Sequence, residues 1–99
     1  MRADKVKVPM VAFSKQYNLS PREQDVLSLM IGRVVNAEDI SQKLGISQNT
    51  VRIHVKNINS KVGARSKTEI LSAFILFLDN YYERVMGTPT PALVQHLPS

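Results

Sequence analysis

One side of the segment from Ser47 to Val62 carries side chains suited to binding a polar ligand. Placed on a helix at about 100° per residue, this side combines basic, amide, small and apolar groups: Asn49, Arg52, Ile53, Lys56 and Ser60. No acidic residue lies between Gln48 and Arg65. In the major groove of DNA, Arg and Lys suit guanine, Asn suits adenine, and an apolar group suits the thymine methyl. A solvated basic face is the alternative. The pattern favours a base-reading face, with these candidate contacts: Asn49, Arg52, Ile53 and Lys56.

The opposite side of the same segment is apolar and spaced for burial: Val51, Val55, Ile58 and Val62. His54 lies beside this stripe, so a half-buried structural imidazole and a phosphate contact both stay open. Catalysis is not predicted, because no Ser/His/Asp arrangement, carboxylate pair or glycine-rich phosphate loop falls on any predicted element. The chain has no cysteine, and His54 and His96 are too far apart to suggest a ligand pair. We therefore expect no enzyme activity, no metal site and no cofactor.

Composition and charge narrow the class of partner. The chain has 99 residues, enough for one small domain. Its net charge is +5, and residues 1 to 66 alone carry +6. This excess favours nucleic acid over an anionic membrane, because no long basic amphipathic helix with bulky apolar residues precedes the fold. Neither a membrane span nor an apolar signal core is visible, so we expect a cytoplasmic protein with no membrane partner.

Two capping boxes predict where the first and the last helix begin. Ser20-Pro21-Arg22-Glu23 has a capping serine, a proline at the first helical position and a glutamate three residues after the serine. Gly32 offers a left-handed end to this first helix. Ser66-Lys67-Thr68-Glu69 repeats the serine and glutamate spacing and opens the fourth predicted helix.

Two further helices are predicted between these ends, joined by a tight turn. Asn36 caps the second helix, and Gly45 ends it. Ser47 can cap the third helix, which covers about residues 48–62. A short turn containing glycine between two helices is typical of a helix-turn-helix, here over about residues 36–56.

The fourth predicted helix carries two adjacent apolar stripes, and together they exceed the arc of about 100° that packing on one core requires. The first stripe consists of Ile70, Phe74, Phe77, Tyr81 and Val85. The second stripe is the predicted homodimer interface: Leu71, Ile75, Leu78, Tyr82 and Met86. The alternative is that residues of the N-terminal segment cover this second stripe within one chain: Val6, Val8, Val11 and Phe13.

The two ends of the chain are predicted to lie outside the helical domain. Residues 1–18 are interpreted as a basic N-terminal arm or linker whose apolar residues pack on the domain, because Pro9 interrupts any helix there. A solvated linker is favoured over an arm that enters the minor groove. Residues 87–99 contain three prolines, so we expect a flexible tail. The predicted fold is all-α, with four helices over residues 19–86 and an extended fourth helix.

These motifs, in this order, resemble the LuxR/FixJ-type (GerE-type) DNA-binding domains of bacterial transcription regulators. The similarity runs from about Leu19 to Ala73 and rests on residues 19–23 (LSPRE), 26–27 (VL), 36–40 (NAEDI), 44–47 (LGIS), 50–55 (TVRIHV), 57–58 (NI) and 61–69 (KVGARSKTE). The resemblance implies that the second and third helices form the helix-turn-helix and that the third enters the major groove. Residues 32–35 depart from the family's small polar loop, and the fourth helix is longer than is typical.

The resemblance also implies roles for individual residues. Members of the family read bases from the positions of Arg52, Ile53 and Lys56, and contact phosphates near the third helix and the start of the fourth. The expected phosphate contacts here are Thr50, Asn57, Lys61, Arg65 and Lys67. For Asn57, a bond to a neighbouring backbone turn is the alternative.

The expected function is sequence-specific binding of double-stranded DNA by a cytoplasmic bacterial transcription regulator. A symmetric homodimer through the fourth helix would place two recognition helices about one helical turn apart on an inverted repeat. RNA polymerase is a further candidate partner. The alternative is a protein-interaction module that resembles the fourth region of sigma factors and docks through the fourth helix.

Overall fold

Five helices form the part of the chain that a computed structural model describes, which is residues 4–86, with side chains described for residues 7–85. They are α1 (Asp4–Gln16), α2 (Pro21–Ile31), α3 (Ala37–Leu44), α4 (Gln48–Val62) and α5 (Lys67–Met86). No strand occurs among these residues, and the all-α prediction is confirmed. The tail expected at residues 87–99 and the Met86 side chain lie outside this description.

The capping box at the start of α2 forms as predicted, but the one at the start of α5 forms only in part. The Glu23 amide donates to Ser20 Oγ at 3.1 Å, and the Ser20 amide donates to Glu23 Oε1 at 2.9 Å. At α5 the Glu69 amide donates to Ser66 Oγ at 3.2 Å. The Glu69 carboxylate reaches one residue further back and accepts from the Arg65 amide at 2.9 Å. It therefore fastens the turn that precedes α5 instead of closing the predicted box.

The helix-turn-helix is set up by local bonds at both sides of its turn. Asn36 Oδ1 accepts from the Asp39 amide at 2.8 Å and so begins α3. Gly45 ends α3 in the left-handed conformation, with φ of 67°, which glycine adopts without a steric penalty. Ser47 Oγ then accepts from the Thr50 amide at 3.0 Å and begins α4. The turn between the two helices is therefore only three residues long, as predicted.

The left-handed residue after α2 is Arg33 and not the predicted Gly32. Gly32 has φ of −82°, whereas Arg33 has φ of 74°. The reversal is completed by the Val34 amide, which donates to the Leu29 carbonyl at 2.8 Å. A side chain in this region costs about 1–2 kcal/mol. The prediction was wrong because the position of the turn is decided by this bond and not by where glycine occurs.

The expectation that Pro9 prevents a helix in the N-terminal segment is wrong, because α1 runs through Pro9. An interior proline removes one backbone hydrogen bond and costs about 3 kcal/mol. Burial compensates this loss: Pro9, Met10 and Phe13 are all buried. The Phe13 ring meets the rings of Phe74 and Phe77 edge-on, with centroids 5.3 Å apart in each pair. The predicted arm is therefore a helix that forms part of the core.

The core lies where the five helices meet. Helix α4 packs against α2, α3 and α5, and α1 packs against α2 and α5. Every helix contributes to one cluster of buried apolar side chains: Met10, Phe13, Val26, Leu27, Met30, Ile40, Val51, Val55, Ile58, Ile70 and Phe74.

Replacement of Phe13 by alanine tests whether α1 belongs to the core. Phe13 is 0% exposed, so Phe13→Ala should lower the free energy of unfolding by about 3–5 kcal/mol through lost burial and a residual cavity. Val8→Ala is the matched control on the same helix, because Val8 is 58% exposed. It should change stability by about 0.5 kcal/mol or less. Urea unfolding followed by circular dichroism measures both, and equal effects would contradict the packing of α1.

Candidate nucleic-acid interface

Helix α4 turns one side into the core and leaves the other open to solvent. Val51 and Ile58 are fully buried and Val55 is 8% exposed, whereas Val62 is half-buried at the end of the helix. Helices α2, α3 and α5 all pack against α4, and the side of α4 away from its buried stripe is exposed. The outward positions are all exposed: Gln48, Asn49, Arg52, Ile53, Lys56, Asn57 and Ser60.

The four candidate base contacts lie together on this outward side. Ile53 is 49% exposed, whereas the apolar side chains of the opposite stripe are buried or half-buried. Arg52 donates from Nη2 to Gln48 Oε1 at 3.3 Å, so its guanidinium lies along the helix. Among the described side chains, neither Arg52 nor Lys56 forms an ion pair. Their charges are therefore available to a ligand.

Lys61 differs from these residues because the structure pairs it with an acid. Its Nζ lies 2.7 Å from Oε1 of Glu23, a side chain of α2 that is only 5% exposed. Burial raises the pKa of the Glu23 carboxyl. Lys61, the Ser20 amide and the Asn57 side chain lower it by more, so the pKa lies below its usual value of 4.5. Lys61 thus holds α4 against α2, with 34% of its side chain still exposed.

The other expected phosphate contacts are also of two kinds, those bonded within the fold and those whose charge is unpaired among the described residues. The Arg65 side chain is exposed after the end of α4, and no ion pair involves it among the described residues. Lys67 donates from Nζ to the Val35 carbonyl at 2.6 Å and so connects the start of α5 to the loop before α3. Thr50 Oγ1 lies 2.8 Å from Ser47 Oγ at the start of α4. The basic residues of the sequence therefore include both structural and unpaired cations.

Two residues with alternative roles lie at the edge of the buried side of α4. His54 is half-buried, and its buried Nδ1 has no hydrogen-bond partner among the described residues. Asn57 is exposed, and its side chain lies close enough to the Glu23 carboxylate to lower the pKa of that carboxyl. Asn57 therefore lies beside the pair formed by Glu23 and Lys61.

Glu23 and Gln48 take part in this region although their roles were not predicted from the sequence. Glu23 fits its capping role so well that no second role is visible, and its partner Lys61 lies 38 positions away. Gln48 lies four residues before Arg52, a spacing that brings side chains together on a helix. That spacing was a usable signal for the contact between Gln48 and Arg52.

A second surface of interest lies on α5, where the second apolar stripe borders a groove. The groove has a volume of about 400 Å³ and is lined mainly by apolar side chains of α2, of the loop after it and of α5: Met30, Ile31, Arg33, Val35, Leu71, Phe74, Ile75 and Leu78. Ile75 is 42% exposed, and Leu71, Leu78 and Tyr82 are half-buried.

The N-terminal residues expected to cover this second stripe do not do so. Phe13 packs on the first stripe, through Phe74 and Phe77. Val8 and Val11 are exposed, and the side chain of Val6 lies outside the described residues. The intramolecular alternative is therefore wrong for Val8, Val11 and Phe13, because α1 occupies the other side of α5.

A protein-family model covers the helix-turn-helix and the first part of α5, up to residue 74. Residues 17–74 match the model described as bacterial regulatory proteins, luxR family. The chain belongs to the LuxR family. This family comprises DNA-binding transcriptional regulators and not enzymes, and the helix-turn-helix of α3 and α4 lies within the matched residues. The resemblance seen in the sequence is confirmed.

Curated relatives of this LuxR-family chain are considerably longer than the region they share with it. The regulatory protein SdiA of Escherichia coli is 35% identical over 60 residues, which are 61% of this chain and 25% of SdiA. The nitrate/nitrite response regulator protein NarL of Escherichia coli is 37% identical over 51 residues, 52% of this chain and 23% of NarL. The transcriptional regulatory protein LnrK of Bacillus subtilis is 40% identical over 52 residues, 52% of this chain and 23% of LnrK. The chain thus spans about a quarter of the length of these relatives. No solved structure matches it significantly.

The described part of this LuxR-family chain contains neither a membrane-spanning helix nor a cluster of metal ligands. Between residues 4 and 86, no helix is both long and apolar enough to cross a membrane. Within the same residues, His, Asp and Glu side chains nowhere form a group of three that could hold a metal ion.

Proposed function

We propose that this LuxR-type domain binds double-stranded DNA sequence-specifically, with α4 in the major groove, and acts in bacterial transcription regulation from the cytoplasm. The observation that carries the proposal is the outward side of α4, where Arg52 and Lys56 are unpaired beside an exposed Ile53. A base edge that offers acceptors next to a thymine methyl matches all three side chains.

Base reading is assigned to the residues that face outward on α4: Asn49, Arg52, Ile53 and Lys56. Arg52 is the strongest candidate for guanine, because its contact with Gln48 is a single bond of 3.3 Å that a bidentate contact can replace. Ile53 suits a thymine methyl. Phosphate contacts are assigned to side chains that flank this face: Thr50, Asn57, Lys61, Arg65 and Lys67. Among the three cations of this set, Arg65 is the one whose side chain forms no bond within the described residues, whereas Lys61 and Lys67 do.

The affinity of the full chain for duplex DNA should fall steeply as salt is raised. Each phosphate that a cation neutralises releases counterions and contributes about −0.9 to the slope of log affinity against log salt. Fluorescence anisotropy with a labelled duplex across a salt series measures this slope. Arg65→Gln should make it shallower by about 0.9. An affinity that did not respond to ionic strength would contradict the proposed function.

Substitution of Arg52 or Lys56 should reduce discrimination between sequences, whereas substitution of Arg65 should not. A bidentate base contact contributes about 1–3 kcal/mol of discrimination. Arg52→Ala should therefore lower the ratio of specific to non-specific affinity by roughly tenfold, and Lys56→Ala should act in the same direction. Arg65→Ala is the matched control, because it removes one cation outside the base-reading face and should weaken all duplexes alike. The preferred duplex comes from selection among random sequences. An unchanged ratio for a folded Arg52→Ala variant would refute the assigned face.

We further propose a symmetric homodimer through the second stripe of α5: Leu71, Ile75, Leu78, Tyr82 and Met86. The support is the apolar groove beside Ile75, which α1 leaves uncovered. An isologous contact through α5 would direct two copies of α4 to the same side of the duplex, about one helical turn apart, on an inverted repeat. RNA polymerase is a further proposed partner, at a surface that these residues do not identify.

Replacement of Ile75 by glutamate should abolish the dimer without unfolding the chain. Ile75 is 42% exposed in one chain, so a charge there is tolerated by the monomer but not within an apolar interface. Leu76→Glu is the matched control, because Leu76 is 61% exposed and lies about 100° further around the helix. Analytical ultracentrifugation, and binding to duplexes with one and two half-sites, should show loss of cooperativity for Ile75→Glu only.

The alternative occupant of the groove is a different protein, as in a module that resembles the fourth region of sigma factors. A wild-type chain that stays monomeric, both free and on an inverted repeat, would contradict the homodimer. That result would favour the interaction module, while binding to a single half-site would still support DNA recognition. These measurements can therefore refute the homodimer without refuting DNA binding.

A further inference from the structure

Two neighbouring residues at the start of α2 contact both helices of the helix-turn-helix. Arg22 donates from Nη2 to the carbonyl of Leu44, the last residue of α3, at 3.4 Å. Glu23 accepts from Lys61, in the last turn of α4, at 2.7 Å. The first contact is exposed and long, whereas the second is short and involves a carboxylate that is almost fully buried. The second is therefore the stronger of the two connections.

The Glu23 carboxylate is hydrogen-bonded within its own capping box as well as to Lys61. Its Oε1 accepts from the Ser20 amide at 2.9 Å, and its backbone amide donates to Ser20 Oγ at 3.1 Å. The Asn57 side chain lies beside the same carboxylate and lowers its pKa. A side chain fixed by its own capping box cannot swing away, so the position of Lys61 Nζ is set relative to the start of α2.

The hydrogen bond between Lys61 and Glu23 restrains the orientation of α4, which the burial of its apolar stripe does only weakly. Burial of Val51, Val55 and Ile58 is non-directional, so it holds α4 on the core but restrains its rotation and sliding only weakly. A charged hydrogen bond is directional and loses its strength when the geometry changes. At about 100° per residue, Lys61 lies about 180° around the helix from Arg52 but only about 80° from Ile53, so the bond acts at one flank of α4, between the buried side and the base-reading face.

We propose that Glu23 is a positioning residue of the recognition helix. Through Lys61 it sets the rotation of α4 against α2, and so the direction in which Arg52, Ile53 and Lys56 face the groove. Glu23 does not contact DNA, because it is 4% exposed and acidic. The proposal rests on the proposed function for its effect on DNA but not for its effect on the position of α4.

Two matched variants separate positioning from stability. Glu23→Gln keeps the capping box, since glutamine also serves at that position, and leaves an amide oxygen for Lys61. Glu23→Gln combined with Lys61→Met keeps the capping box and the volume of the lysine stem, leaves no buried charge and removes the connection. The ratio of specific to non-specific affinity should stay within about threefold of wild type for the single variant and fall about tenfold for the double variant. Arg65→Met, which also removes one cation, should leave the ratio unchanged.

A measurement without DNA tests the position of α4 directly. The chain has no cysteine, so Ser28→Cys on α2 and Ser60→Cys on α4, both at exposed positions, can carry spin labels in the full chain. The distance distribution from double electron–electron resonance should be narrow in wild type and in Glu23→Gln, and broad in the double variant. An unchanged distribution in a folded double variant would overturn the proposal, as would an unchanged affinity ratio. If the wild type bound no duplex, the proposed function would fail and the distance distribution would decide the positioning role alone.

Discussion

Burial of three side chains along one side of α4 is the constraint on which the rest of the structure depends. Val51, Val55 and Ile58 place the helix against α2, α3 and α5 at once. Because a helix presents its residues around a full turn, this burial leaves the remaining side of α4 exposed. The side chains exposed there are unsuited to a core, with the exception of Ile53. This exposed side combines the cations Arg52 and Lys56 with the apolar Ile53, and the proposed base contacts rest on that combination.

The basic residues are of two kinds, those with unpaired charges and those bonded within the fold. Charge alone does not distinguish them. Arg52, Lys56 and Arg65 carry charges that no described acid neutralises. Lys61 and Lys67 bond to Glu23 and to the Val35 carbonyl, and so connect elements of the fold. A buried carboxylate that lost its lysine would be left unpaired at a cost of several kcal/mol. The positive charge of the sequence is therefore an upper limit on the charge that faces DNA.

Helix α1 shows how tertiary packing can override a local signal. An interior proline argues against a helix, yet Phe13 reaches a site between Phe74 and Phe77 only if the segment is helical. The packing of α1 also divides the surface of α5. Phe13 covers Phe74 and Phe77 of the first apolar stripe, whereas the second stripe borders an open groove.

The sequence by itself determined the helices from α2 to α5, the helix-turn-helix and the family. Capping bonds join residues three positions apart, and apolar periodicity repeats within a single helix, so both are readable without knowledge of the fold. It also identified the outward side of α4, because the opposite side was marked by Val51, Val55 and Ile58. Only the tertiary structure decided that residues 4–16 are helical, that Arg33 takes the left-handed turn, and that Lys61 and Lys67 are bonded within the fold. These features depend on contacts between residues more than thirty positions apart, or on a choice between neighbouring positions of similar energy, and neither leaves a local pattern in the chain.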